Sequence, residues 1–221
     1  MSITQIRAAV KILIDSYKAF VNNLPPTVRP CPCGHAFRHR HGCYERWMVV
    51  GIWEELLSIL RLYCPRCKST EALVPHFMPR HSPYPWILRQ EALFAYAEGD
   101  RGYRPTAATW EVNWQTIWRW ARELARRLPA LTGALLQCLL ALPDRSRDRA
   151  IRSLVRVAAE EPALWPRAPT ATTREVLRRY LAPACAAALE LWEAGAVWGL
   201  SWGAPDPRQA LAFLAALDRP T

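Results

Sequence analysis

The chain has 221 residues, 51% of them apolar, and its 29 Lys and Arg against 19 Asp and Glu leave a formal charge of +10. That is enough chain for one or two buried cores, and the basic excess points to a polyanionic partner, nucleic acid before an anionic membrane. No apolar run reaches the roughly 18–20 residues that a membrane span requires, and 19 prolines exclude a long coiled coil.

The first predicted element is an amphipathic helix over 3–22, with Ile6, Val10, Leu13, Tyr17 and Phe20 recurring at helical spacing. Arg7, Lys11, Asp15 and Lys18 interrupt its apolar side, so it lacks the pattern of a cleavable secretory leader. The expected compartment is the cytoplasm, at the nucleoid. Cysteines stay reduced there, and clustered ones serve as metal ligands more often than as disulfides.

All five histidines and five of the seven cysteines fall between Cys31 and His81, framed by Pro25, Pro26 and Pro30 before and by Pro75, Pro79, Pro83 and Pro85 after. Within this unit Tyr44–Val50 and Leu56–Tyr63 are rich in aromatic and aliphatic residues, with Gly51 near the bend, which predicts a β-hairpin. Cys31-Pro32-Cys33-Gly34-His35 precedes the hairpin and Cys64-Pro65-Arg66-Cys67 follows it. Zinc takes four soft or borderline ligands in a tetrahedron, and two cysteine knuckles supply two each. The expected ligands are Cys31, Cys33, Cys64 and Cys67, holding a structural Zn2+; the first knuckle is one residue short, and His35 or Cys43 is the alternative donor there. A catalytic zinc would keep an open position beside a general base. Glu54 and Glu55 lie near the bend, but no H-x-E or H-E-x-x-H pattern accompanies them. His39, His41, His76 and His81 are read as solvated or backbone-bonded, with phosphate contacts as the alternative.

Helices are predicted at Trp86–Ala97, Pro105–Trp110 and Trp114–Leu128. Residues 103–122 carry the spacing of a helix-turn-helix, with Ala107, Val112, Ile117 and Trp120 at the packing positions and Asn113 placed to cap the second helix. Glu111 stands where a turn glycine is usual. The outward face then offers Gln115, Thr116, Arg119 and Arg122 to base edges, and Arg101 and Arg104 to phosphates. Trp118 is read as packed against C-terminal helices, and Trp114 is assigned to neither face. Beyond Pro129, prolines divide the chain into helices at about 130–142, 145–160, 171–181, 184–198 and 207–217.

These residues resemble something familiar. CPCG at 31–34, RHGCYER at 40–46, YCPRC at 63–67 and the Tyr103–Arg122 segment are similar to the N-terminal half of bacterial insertion-sequence transposases. A short stand-alone bacterial family of unknown function, transposase-like in its N-terminal part, is the closer resemblance, and LAFLAAL at 211–217 is similar to its closing helix. The chain departs from that pattern in its shortened first knuckle and in Lys68, where glycine is usual. The resemblance implies a zinc ribbon followed by a DNA-binding helix-turn-helix.

A transposase catalytic core needs three carboxylates on an RNase H-like α/β fold to hold two metal ions. The 93 residues after Leu128 read as helices, and Arg145, Arg147 and Arg149 surround the Asp144/Asp148 pair. No phosphate-binding loop or nucleophile elbow is present, so no enzyme is expected. The expected fold is mainly α with a small β zinc ribbon, ordered as an N-terminal helix (1–27), a zinc ribbon (28–82), a trihelical helix-turn-helix (83–128) and a C-terminal helical domain (129–221). The expected function is duplex-DNA binding in transposition or transcriptional regulation. A homodimer or a transposition protein is the further expected partner, and no membrane. The alternatives are a protein-interaction adaptor and a DNA-binding subunit whose catalytic chain is separate. Residues 1–128 hold 18 Lys and Arg against 10 Asp and Glu, a net of +8, and residues 129–221 hold 11 against 9, a net of +2. The excess lies with the two motifs.

Overall fold

Ser2 and Gln5 start the first helix by capping each other. The Gln5 amide donates to Ser2 Oγ at 3.3 Å and the Ser2 amide to Gln5 Oε1 at 2.8 Å, satisfying two amides at the helix start. The computed structural model describes residues 1–28, 30–140, 173–178, 180–181 and 184. Its elements are α1 (Ile3–Asn22), β1 (Thr27–Val28), β2 (Arg38–Val50), β3 (Trp53–Tyr63), β4 (Thr70–Ala72), α2 (Trp86–Glu98), α3 (Tyr103–Thr109) and α4 (Trp114–Leu140). The architecture is mixed α and β, and the chain divides into two compact units, Met1–Leu88 and Arg89–Thr221. No helix among the described residues is long and apolar enough to cross a membrane.

In the first unit α1 buries Ile6, Val10, Ile14 and Tyr17. Leu13 and Phe20, expected on that stripe, are only half-buried; steps of four, four and three follow the 3.6-residue turn more closely and bring Ile14 inward. Strands β1 to β4 form one antiparallel sheet in chain order. Its centre is the predicted hairpin, joined by Gly51 and Ile52 between the paired Val50 and Trp53. Glycine first in a two-residue connection, here with φ +65°, suits a primed turn that follows the sheet twist. At His41–Gly42 the register slips by one residue, and Gly42 takes φ +68°, the left-handed geometry of a glycine bulge.

Tyr17 ties helix to sheet. Its hydroxyl donates to the Leu73 carbonyl at 2.9 Å and accepts the Leu60 amide at 3.3 Å, and burial pushes its phenol above the ordinary range. Arg7 donates to the Val50 carbonyl at 3.1 Å. Leu60 and Leu62 form a small core with Val21, Leu24 and Leu73 around them.

In the second unit α3 and α4 are joined through Trp110–Asn113. Ala107, Ile117 and Trp120 are buried as expected and Val112 is half-buried. Asn113 caps α4, its Oδ1 accepting the Gln115 amide at 2.8 Å. Glu111 takes φ +51°, which costs a residue with a Cβ about 1–2 kcal/mol.

The expected break at Pro129 is not observed: α4 runs through it to Leu140. Proline removes one donor and crowds the preceding turn, at about 3 kcal/mol. Here good helix formers lie on both sides, Ala125-Arg126-Arg127-Leu128 before and Ala130-Leu131 after, and they outweigh that single break. Residues 173–178 are helical within the predicted 171–181. The helices predicted at 145–160 and 207–217 lie outside the described residues, as does all of 184–198 beyond Ala184.

That segment reaches back to α2. Arg178 donates to the carbonyls of Ala97, Glu98 (3.4 Å) and Gly99 (3.1 Å) and pairs with Asp100 at 3.2 Å. Arg174 donates to the carbonyls of Asp100 (3.5 Å) and Arg101. Its guanidinium lies 4.6 Å from the centre of the Tyr96 ring, which stacks on Tyr103 at 4.3 Å. Carbonyls at a helix C-terminus lack intrahelical partners and carry partial negative charge, so two arginines meet both needs.

Two substitutions test this account. Tyr17→Phe strands the Leu60 amide and Leu73 carbonyl and should lower unfolding free energy by about 1–3 kcal/mol in urea titrations. Glu111→Gly relieves the left-handed backbone and should raise it by about 0.5–1 kcal/mol, the strain removed less the extra chain entropy of glycine.

Candidate metal centre and basic helix face

Each knuckle closes a hairpin of its own. Val28 pairs with Arg38 around the first and Tyr63 with Thr70 around the second. The short outer strands thus hold Cys31 and Cys33 beside the start of β2, and Cys64 and Cys67 beside the end of β3. Antiparallel pairing of β2 with β3 brings both loops to the same end of the sheet.

The loops are one design at two lengths. The Cys31 amide donates to the His35 carbonyl at 2.8 Å, and the Cys64 amide to the Ser69 carbonyl at 2.9 Å. In each, the residue after the second cysteine is left-handed, Gly34 at φ +82° and Lys68 at φ +60°. The missing residue of the first knuckle therefore comes from between its cysteines, and the turn that aims the second sulfur is kept.

The four predicted cysteines converge. Their sulfurs all lie within 4.8 Å of one another; Cys31 to Cys67 and Cys33 to Cys64 each measure 3.7 Å. A tetrahedron with Zn–S near 2.3 Å has edges of about 3.8 Å, so the spacing fits a metal ion such as zinc. It is far too long for a disulfide bond, and all four cysteines are free thiols. Cys31 and Cys64 are buried, Cys33 and Cys67 exposed. His35 and Cys43, the alternative donors, do not join the cluster. The His35 ring packs edge-on to Phe37, and Cys43 is an exposed strand residue paired with Leu60.

Hydrogen bonds divide the thiols. The hydroxyl and amide of Ser69 pull Cys67 down to about 6, and the Cys67 and Arg66 amides lower Cys64. The Cys33 amide also lowers Cys31, but burial and hydrogen bonds with its fellow thiols outweigh it and push Cys31 up to about 12. Amides directed at sulfur both orient and stabilise thiolate ligands. Ser69, 3.0 Å from Cys67 Sγ, escaped the sequence reading because a serine two residues beyond a cysteine carries no signal alone. His39, His41, His76 and His81 are exposed and outside the cluster; the His41 ring lies 5.2 Å from that of Tyr63.

On α3 and α4, Arg104, Gln115, Arg119 and Arg122 are exposed, and Thr116 is half-buried. Gln115, Arg119 and Arg122 share one face at four- and three-residue steps. Arg101 is exposed just ahead of α3, its backbone carbonyl held by Arg174. Trp118, expected to be packed away, is 37% exposed, and Trp114 is 39% exposed. Arg122 lies over the Trp118 ring at 4.7 Å and Arg104 over Trp114 at 5.7 Å. A guanidinium on an indole face is stabilised by the ring quadrupole, so a cation covers part of each ring. Glu123, the one acidic residue of α4, is engaged by Arg89 and Arg127, each at 3.1 Å.

Comparison with family models, curated proteins and solved structures finds no match.

The purified chain should carry one metal ion, measured by elemental analysis. Cys31→Ser, Cys33→Ser, Cys64→Ser or Cys67→Ser should each remove it, while Cys43→Ser and His35→Ala retain it. Metal uptake must displace the Cys31 proton at any pH below about 12, whereas Cys67 is already a thiolate above about 6. Affinity should therefore rise with pH across the neutral range, by about tenfold per unit for each proton displaced, in competition titrations with a chelating dye.

Proposed function

We propose that the chain is a duplex-DNA-binding protein of transposase ancestry. A structural zinc sits in its ribbon and a helix-turn-helix supplies base contacts, with no catalytic core of its own; it acts in transposition or transcriptional regulation. The observation that carries this reading is the exposed row Gln115, Arg119 and Arg122 on a helix that opens from a capped turn. Glutamine pairs with adenine and arginine with guanine through two hydrogen bonds each, and arginine also holds phosphate. The zinc reading rests on the sulfur spacing, and the charge of the first 128 residues agrees with a polyanionic partner. Such modules commonly bind paired half-sites as dimers, which makes a second copy or a transposition protein the natural partner.

A second reading, a protein-interaction adaptor, draws on the hairpin. Trp47 and Leu56 are cross-strand partners, 55% and 39% exposed, and Ile52 at the turn is 83% exposed. An apolar group of that kind suits a protein surface.

Gel-shift titrations against duplex at two salt concentrations separate the readings. The DNA-binding reading expects affinity to fall steeply with salt, with a log–log slope of about −0.9 per phosphate contact. Arg119→Ala with Arg122→Ala should weaken binding at least tenfold, and Trp47→Ala should leave it unchanged. Absence of any shift at low salt would sink the DNA reading and favour the adaptor.

A further inference from the structure

Trp114 and Trp118 stand one turn apart on α4 and Arg122 follows one turn later, so the three share one stripe. Arg104 joins it from α3, over the Trp114 ring. Both tryptophans are exposed, each over more than a third of the residue's surface. This is poor equipment for the edge of a paired base: an indole offers one N–H donor, and its bulk holds the helix away from a groove floor. It suits the face of an unpaired base, because aromatic rings take bases of any identity by stacking while arginines follow the phosphates. The rise from Trp114 to Trp118 is about 6 Å along the helix axis. The repeat of a stacked strand is about 3.4 Å, so successive rings fit a strand whose bases are drawn apart and not one inside a duplex. The charge agrees: α4 carries Arg119, Arg122, Arg126 and Arg127 against Glu123 alone.

We propose that the face built by Trp114, Trp118, Arg104 and Arg122 takes an unpaired DNA strand, its bases stacking on the tryptophans and its phosphates meeting the arginines. The inference rests on the DNA-binding reading and specifies its substrate: a site that is locally melted, with Gln115 and Arg119 reading the adjoining pairs. Arg122 stacked on Trp118 at 4.7 Å completes a layer of guanidinium, indole and base.

The test uses the full chain and three labelled probes: a blunt duplex, the same duplex with a central mismatched bubble, and a single-stranded oligothymidylate. In anisotropy titrations the bubble should bind roughly tenfold or more tightly than the blunt duplex, and the single strand should bind measurably. Trp114→Ala and Trp118→Ala should each erase most of that bubble-over-duplex preference, measured within each variant, and the Phe variants should restore it. A 2-aminopurine in the bubble should dim on binding to the unsubstituted chain, a readout that stands even if an Ala variant folds poorly. Equal affinity for bubble and duplex, a preference untouched by both Ala variants, or an undimmed 2-aminopurine overturns the inference and leaves duplex binding standing. Failure to bind any probe at low salt overturns both.

Discussion

Four sulfur atoms at one end of a sheet are the constraint on which the first unit depends. The sheet offers little core of its own: Leu60 and Leu62 with three partly buried neighbours at the cluster end, and Met48, Val50, Leu57 and Ile59 along the hairpin. Forming two knuckles orders loops that bury almost nothing, and each ordered residue costs about 1–2 kcal/mol of backbone entropy. A tetrahedral metal site returns on the order of 10 kcal/mol or more, enough to hold both loops. The constraint reaches along the strands. Cys33 and Cys64 meet only if β2 and β3 keep their register, so the one-residue slip at His41–Gly42 is part of the same geometry.

Sequence reading succeeded where local chemistry and fold agree. The α1 stripe at Ile6, Val10 and Tyr17, though not at Leu13 and Phe20, the hairpin, the paired cysteines and the Asn113 cap were legible through spacing or residue type. The failures have equally physical causes. Strands β1 and β4 hold two and three residues, too few for alternation to register, yet they close the knuckles. Pro129 carries a strong local preference that the surrounding helix overrides. Trp118 looked like core because tryptophan usually is; a cation on its face keeps it at the surface. The grip of Arg174 and Arg178 on the end of α2 joins residues more than 70 positions apart through backbone carbonyls, and no periodicity announces such a bond. The candidate metal site was thus readable almost whole. The aromatic half of the candidate DNA face was present as residues but not as a surface.

Lys68 and Glu111 each stand where a turn glycine is usual, and each keeps the left-handed backbone that glycine would have made easy. One sits in a knuckle and the other in the turn ahead of α4. At each site the surroundings determine the path more strongly than the residue does, and the chain carries two side chains at places where the turn faces water. The shortened first knuckle follows the opposite course, giving up a residue while keeping glycine. The two loops of one site thus reach the same end geometry by different means.

The two arginines that close the end of α2 also decide where this protein can be cut. A fragment ending after α4 would look like a complete DNA-binding module, but it would leave the carbonyls of Ala97, Gly99 and Arg101 without the guanidinium groups that hold them. The connection leading into α3 would lose its clamp and Tyr96 its cation. The smallest separable piece of the second unit therefore extends at least to residue 178, and a gene fusion that borrowed residues 83–128 alone would carry α3 and the start of α4 without the guanidinium groups that hold the end of α2.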